Sequence, residues 1–176
     1  MINPFSHTRL FAHKKLHLGV SGSVACYKAC DLLRRFLELD MQTSCVLSAG
    51  ARHFITPLLL ESLGANPVYG EMFAGDKALD HLEPGRVADA MAVVPASANT
   101  LAKLAWGMAD NMLTAQFLAF PGNRVVVPAM NPRMWVSAAV QENVEKLRQH
   151  GCKIVSPAFG RTACGRGRPR APGRSG

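Results

Sequence analysis

The stretch LHLGVSGSVACYKACDLLRRFLEL, residues 16–39, contains the unit from which the fold is predicted. Its first five residues form a largely apolar run typical of a buried strand, and residues 24–39 have the spacing of a helix with one apolar face. Gly22 lies between the two, where the strand turns directly into the helix. A buried strand followed at once by a helix is the repeating unit of a parallel α/β sheet.

The same alternation continues along the chain. Further strands are predicted at residues 42–48, 89–95, 124–129 and 152–157. Helices are predicted at residues 49–63, at 97–119 with a break near Gly107–Asp110, and at 132–150, whereas residues 64–88 indicate a loop with at most a short helix.

Strands that are apolar throughout require helices on both faces of their sheet. We therefore predict one α/β domain: a single Rossmann-like, doubly wound parallel sheet in a flavodoxin-like three-layer sandwich. The expected limits are residues 1–14 for an N-terminal extension, 15–160 for the domain and 161–176 for a basic tail.

The composition indicates a globular protein, because 48% of its 176 residues are hydrophobic and 18% are charged. The formal net charge of +8 comes from the ends of the chain: residues 161–176 contain five arginines and no acid, and residues 1–15 contain three basic residues and no acid. The remaining body is neutral, which argues against a nucleic-acid surface. The apolar runs are too short to cross a membrane. We expect a cytoplasmic protein that binds neither nucleic acid nor membrane.

The five cysteines are spread through apolar segments, which argues against a disulfide framework. Cys26 and Cys30 would share a helix face, but no second pair of ligands accompanies them, so no metal site is predicted.

Ligands of doubly wound sheets lie beyond the carboxyl ends of the strands, which makes the residues after each strand the candidates for a binding site. The first such group is Ser21–Ser23. Gly22 lets the backbone approach a ligand closely, and Ser23 opens a helix whose N-terminus suits an anion such as phosphate. A glycine turn with a serine cap explains the same residues equally well. Ser48, after the second strand, is likewise either a helix cap or a ligand-binding hydroxyl.

The later strand ends are more informative. PASANT, residues 95–100, places Ser97, Asn99 and Thr100 at the start of a helix, and one cap would require only one of them. PAMNP, residues 128–132, places Met130 and Asn131 between two prolines, which predicts that both face a ligand and not the core.

Small polar groups from several strand ends indicate one phosphorylated, planar cofactor across the sheet edge. The chain has no GxGxxG motif and no acidic residue at the end of the second strand to hold a ribose, which disfavours NAD. Flavin mononucleotide (FMN) fits better.

Four segments carry a resemblance to a known family: GVSGSVACYK (19–28), PASANT (95–100), WGMADNML (106–113) and PAMNPRMW (128–135). They closely resemble the FMN-dependent cysteine decarboxylases, and the similarity runs from about Lys15 to Gly165. The resemblance implies FMN as cofactor and the oxidative decarboxylation of a C-terminal cysteine moiety. It also implies a homotrimer, or a dodecamer of trimers, with FMN at a subunit interface.

The resemblance also implies roles for individual residues. His81 would be the catalytic acid/base, although from the residues alone a loop histidine beside Glu83 could equally be a surface side chain. The side-chain amide of Asn131 would hold the substrate carboxylate. Met130 would pack near the flavin or offer it a backbone N–H group.

The family has two branches that end differently. One converts 4′-phospho-N-pantothenoylcysteine to 4′-phosphopantetheine in coenzyme A synthesis and uses a flap cysteine as proton donor; the other acts on lantibiotic peptides and releases an enethiol. TACG, residues 162–165, supplies Cys164, which favours the first branch.

The residues after TACG depart from the flap pattern of that branch. RGRPRAPGRSG, residues 166–176, indicates either a redesigned flap, in which Arg166, Arg168 or Arg170 holds the substrate phosphate, or a truncated or frameshifted reading. A flavin prenyltransferase and a non-catalytic flavoprotein regulatory subunit remain as alternatives.

Overall fold

The structure, a computed structural model, describes residues 11–72 and 79–157. Within these ranges six strands form one parallel sheet: β1 (Lys15–Val20), β2 (Gln42–Leu47), β3 (Val68–Tyr69), β4 (Ala90–Ala96), β5 (Asn123–Pro128) and β6 (Lys153–Ile154). The helices are α1 (Tyr27–Glu38), α2 (Pro57–Ser62), α3 (Glu83–Val87), α4 (Ala98–Ala105), α5 (Met112–Ala119), α6 (Pro132–Trp135) and α7 (Ala138–Gln149). Short 3₁₀ turns occupy Val24–Cys26 and Ala51–His53.

The strand order is β3-β2-β1-β4-β5-β6, so the chain starts in the middle of the sheet and builds outward in both directions. Two apolar clusters cover the two faces of the sheet, and the apolar side chains of β1 belong to one of them. Leu18 packs on one face with Leu33 of α1 and Leu60 of α2. On the other face, Val93 of β4 packs with side chains of α4, α5 and α7. Helices on both faces make the three layers predicted from the sequence.

Two predicted helices are interrupted, and proline and serine explain the breaks. Residues 49–63 form a 3₁₀ turn and then α2, because Thr56 is extended before Pro57 and its hydroxyl accepts from the Leu59 amide at 3.2 Å. Residues 132–150 form α6 and α7, because Ser137 adopts an extended conformation between them. The prediction of one continuous helix is therefore wrong in both segments.

Other boundaries agree more closely with the sequence. The predicted break near Gly107–Asp110 is confirmed, since Gly107 has a positive φ of 66° between α4 and α5. β4 continues past Pro95, which was expected to end it, and its register with β5 shifts between Val93 and Ala96. β3 was not predicted, because two residues carry no periodic signal. None of the helices in the described ranges is long and apolar enough to cross a membrane.

His17 is a fully buried polar residue in β1. Its Nδ1 lies 2.8 Å from Ser44 Oγ in β2, and its Nε2 lies 2.9 Å from Gln116 Oε1 in α5. Tyr69 packs the edge of its ring against the imidazole at a centroid distance of 5.5 Å. Burial lowers the pKa of His17 to about 4, because the charged form loses its solvation, and the Gln116 hydrogen bond only partly opposes this. The imidazole is therefore neutral at neutral pH.

This buried imidazole predicts a specific loss of stability in acid. Below the ordinary histidine pKa the unfolded chain takes up a proton that the folded chain accepts only near pH 4, so the free energy of unfolding falls as the pH falls through this window. The full loss is about 3 kcal/mol. Urea unfolding between pH 7.5 and 4.5 should show a shallower decline for His17→Gln than for the wild type. The exposed-residue variant His53→Gln should keep the wild-type slope. Equal slopes for His17→Gln and the wild type would contradict the prediction.

Candidate active site

The carboxyl ends of β1 and β4 are joined by Ser21. Its hydroxyl donates to the Pro95 carbonyl at 2.8 Å and accepts from the Ser97 amide at 2.7 Å. The Ser21 backbone N–H also donates to the Pro95 carbonyl, at 3.1 Å. Ser21 is fully buried, so its hydroxyl serves to hold these two strand ends in register and not to contact a ligand. The sequence placed Ser21 among the candidates but could not separate its role from that of Ser23.

The end of β5 is attached to the same edge. The Ser23 hydroxyl donates to the Ala129 carbonyl at 3.2 Å and accepts from the Ala25 amide at 3.3 Å. The Ala129 amide in turn donates to the Ala96 carbonyl at 2.9 Å. Ser23 is thus both a cap of the turn after β1 and a link from that turn to the residue after β5, on the far side of β4.

Gly22 allows two backbone turns to touch. A Cβ atom on Gly22 would lie 2.8 Å from the carbonyl carbon of Gly50, closer than real Cβ contacts. Ser48, just before Gly50, donates its amide to the Val20 carbonyl at 3.0 Å, and its hydroxyl caps the following turn at Ala51. The turns after β1 and β2 therefore form one surface.

The PASANT segment forms the start of α4. Ser97 caps the helix, accepting from the Thr100 amide at 3.2 Å, and its hydroxyl lies 3.1 Å from Thr100 Oγ1. Thr100 is buried, whereas Asn99 is exposed in the first turn. The open N-terminal turn of α4 offers backbone N–H groups and the positive end of a helix dipole to an anion.

Asn131 is exposed and caps α6, because its Oδ1 accepts from the Arg133 amide at 2.9 Å. This bond uses the acceptor end of the side-chain amide and leaves the Nδ2 donor group for a ligand. Met130 is half-buried and packs against the core that α4, α5 and α7 share, although the sequence predicted that it faces away from the core. The contacts of Asn131 and Met130 with substrate or cofactor stay predictions.

His81 lies half-buried in the turn before α3. Gln116 Nε2 donates to the carbonyl of the preceding residue, Asp80, at 3.0 Å, which attaches this turn to α5. Glu83, which the sequence placed beside His81, starts α3 and lies 3.8 Å from Arg86. Cys164 lies outside the described residues, as do Arg166, Arg168 and Arg170.

A concave region of about 240 Å³ lies past the carboxyl ends of β2 and β3. Its lining includes Ser48, Arg52, Asp110 and Asn111. Arg52 brings a cation here, and its Nη2 is buried without a hydrogen-bond partner among the described residues. The hydrogen bond from Lys103 lowers the pKa of Asp110. WGMADNML, residues 106–113, resembles the family segment, but its sequence alone indicates no role for Asp110 or Asn111, and no local pattern points to Arg52.

A parallel sheet with polar groups gathered at its carboxyl edge defines a ligand-binding α/β protein of the doubly wound class. The Flavoprotein family model matches residues 4–173, and the chain belongs to this family. Both the predicted fold and the predicted flavoprotein class are confirmed.

Several relatives are similar over most of the chain. The "Probable phosphopantothenoylcysteine decarboxylase" of Streptococcus mutans is 39% identical over 156 residues, covering 86% of this chain and 87% of the relative. The "Coenzyme A biosynthesis bifunctional protein CoaBC" of Vibrio vulnificus is 38% identical over 156 residues, covering 88% of this chain. The chain spans only 39% of the length of that bifunctional relative.

Two solved structures have the same fold. The FMN-dependent cysteine decarboxylase SpaF superposes with a TM-score of 0.78 at 35% identity, covering 85% of this chain and 87% of SpaF. A mutant PPC decarboxylase complexed with pantothenoylaminoethenethiol also gives a TM-score of 0.78, at 31% identity and with 87% of each chain covered.

The Ser21 bridge predicts a large effect from removing one oxygen atom. Ser21→Ala should lower the free energy of unfolding by about 1–3 kcal/mol, because the Ser97 amide loses its acceptor. The control is Ser62→Ala, since the exposed Ser62 hydroxyl donates to a carbonyl of its own helix and should change stability by less than about 0.5 kcal/mol. Urea unfolding of both variants measures the difference. Equal, small effects would show that the bridge contributes nothing.

Proposed function

We propose that this chain is an FMN-dependent decarboxylase that converts 4′-phospho-N-pantothenoylcysteine to 4′-phosphopantetheine. The observation that carries the proposal is the geometry of Asn131, whose acceptor atom is held by the Arg133 amide while its donor group stays available. Such a donor suits the carboxylate that a decarboxylase must hold. The coverage of nearly the full length of the Streptococcus mutans relative supports this choice of substrate.

The strand-end residues fit a flavin phosphate. The turns after β1 and β2 touch at Gly22 and Gly50, and a Cβ atom on Gly22 would push these two turns apart. The backbone N–H groups at the start of α4, together with the Ser97 and Ser48 hydroxyls, would hold the phosphate. Arg52 is a further candidate for this role because its Nη2 lacks a partner among the described residues. Bound FMN supplies the two-electron oxidation of the cysteine side chain from CH₂–SH to CH=S.

The protein's own residues position the substrate and move its protons. Asn131 would hold the carboxylate until the C–C bond breaks, and the electron pair of that bond then passes into the C=S group as CO₂ leaves. His81 would accept the thiol proton at the start. Cys164 would donate a proton to carbon when the enethiol is reduced to the saturated thiol, and the two electrons for this reduction would be those that FMN took up in the initial oxidation. The homotrimer, or dodecamer of trimers, and the cytoplasmic location are also proposals that rest on the resemblance.

A peptidyl-cysteine decarboxylase is the second candidate, because the structure of the peptidyl-cysteine decarboxylase EpiD superposes with a TM-score of 0.75, close to the 0.78 of the PPC decarboxylase. In that case the product would be an enethiol, and a peptide ending in cysteine would be the better substrate.

Product mass tests the proposed reaction. The purified yellow protein should release CO₂ from 4′-phospho-N-pantothenoylcysteine, giving a product that lacks only CO₂. His81→Asn should lower the rate by at least about 100-fold while FMN stays bound. Cys164→Ser should give a product that also lacks two hydrogens. The control is His150→Asn, an exposed residue at the end of α7, which should keep the wild-type rate. Protein that takes up no FMN, or that releases no CO₂ from either substrate, would overturn the proposal.

The contact between Gly22 and Gly50 predicts graded losses of FMN affinity. Gly22→Ala places a Cβ 2.8 Å from backbone and must separate the two turns, so FMN should bind at least about 10-fold more weakly. Gly50→Ala makes the same contact from the other side at 3.3 Å, which a small shift relieves, so its loss should be smaller. Fluorescence titration of the FMN-free proteins measures both. Wild-type affinity in Gly22→Ala, or a larger loss in Gly50→Ala, would contradict the prediction.

A further inference from the structure

A chain of hydrogen bonds runs from the buried core to the turn that carries His81. Ser44 Oγ lies 2.8 Å from His17 Nδ1, His17 Nε2 lies 2.9 Å from Gln116 Oε1, and Gln116 Nε2 lies 3.0 Å from the Asp80 carbonyl oxygen. His17 and Gln116 are both fully enclosed, with at most 1% of either residue exposed. Asp80 immediately precedes His81. We infer that His17 and Gln116 are positioning residues that fix the His81 turn for catalysis.

The donor and acceptor in each of these hydrogen bonds follow from the bond between Gln116 and Asp80. A carbonyl oxygen can only accept, so Gln116 must donate its Nε2–H to Asp80 and present Oε1 to His17. Oε1 can only accept as well, so the proton on His17 must sit on Nε2. Nδ1 is then unprotonated and accepts from the Ser44 hydroxyl. Each donor meets one acceptor, and the arrangement requires a neutral imidazole with one defined tautomer.

The surroundings of His17 keep this arrangement fixed. Burial keeps the imidazole neutral at neutral pH, and the ring of Tyr69 packs against it edge to face. Burial also raises the pKa of the Tyr69 hydroxyl to about 12, with Glu83 and Asp80 acting in the same direction, so this neighbour is neutral too.

The His81 turn is held on both sides. On one side the Asp80 carbonyl is bound to Gln116, and on the other Pro84, in the first turn of α3, is buried. A buried His–Gln pair that served only the core would have its bonds within the core. Here the outermost bond leaves the core and ends on a loop carbonyl one residue from the proposed acid/base. Because small displacements of a catalytic group lower rates strongly, this anchoring has a kinetic role.

The inference rests on the proposed function, and two substitutions at one position test it. Gln116→Met removes both hydrogen bonds at nearly the same volume, and Gln116→Glu, in its ionised form, keeps the shape of the side chain but replaces the donor to Asp80 with an acceptor. Each should lower kcat for CO₂ release by about 10- to 100-fold, with KM and FMN binding within about 2-fold of the wild type. The control for lost stability is Leu147→Val, a buried residue of α7, which should keep the wild-type kcat.

A double-mutant cycle separates positioning from a general structural effect. If Gln116 acts through His81, the Gln116→Met loss should largely disappear in a His81→Asn background, measured as slow single-turnover CO₂ release. If the double variant is slower by the product of the two single-variant factors, Gln116 and His81 act independently and the inference is wrong. The ¹⁵N shifts of the His17 ring in the wild-type holoenzyme test the geometry without any substitution, and an Nδ1–H tautomer would also overturn it. Wild-type protein that releases no CO₂ would reject the proposed function itself, whereas CO₂ release with independent losses would reject only the positioning role.

Discussion

The Ser21 hydroxyl, held between the Pro95 carbonyl and the Ser97 amide, is the contact on which the geometry of the site depends. β1 and β4 are neighbours at the point where the chain changes direction across the sheet, and connections that diverge from such a point open a crevice. An open crevice leaves room for a ligand, but the ends of β1 and β4 then lack the support that a loop crossing the crevice would give them. A fully buried side chain with both a donor and an acceptor joins the two strand ends without filling the opening. Because the Ser97 amide is one of its partners, the same hydroxyl also fixes where α4 begins.

The fold was predictable because its signals are local and repeated. Apolar strands alternate with helical segments, and Gly107 marks a helix break that the structure confirms. The failures are local as well: Thr56 caps α2 and Ser137 has an extended backbone inside segments whose apolar spacing continues through them, and β3 is too short to show any spacing. Apolar spacing predicts which face of a segment is buried, but it does not report whether the backbone is interrupted there.

The site was predictable to a smaller extent, for a different reason. The sequence placed Ser21 and Ser23 at one strand end, yet only the partners on β4 and β5 distinguish their roles. The role of His17 could not be predicted, because Gln116 lies 99 positions away and a histidine in an apolar run has no local signature of its bonds. Contacts between distant segments are fixed by the register of the sheet and the packing of α5, which no single segment encodes.

Asn131 shows that capping and ligand binding need not be alternatives. A cap uses an acceptor atom, because the free groups at a helix N-terminus are N–H donors. An asparagine that caps through Oδ1 therefore keeps its Nδ2 donors, in an orientation that the cap itself fixes. Donors are what a carboxylate or a phosphate requires, so the local role that makes a side chain look merely structural also prepares it for an anionic ligand. The His17–Gln116 chain follows the same logic, since each acceptor bond inside the core sets the direction of the donor bond that continues toward the His81 turn.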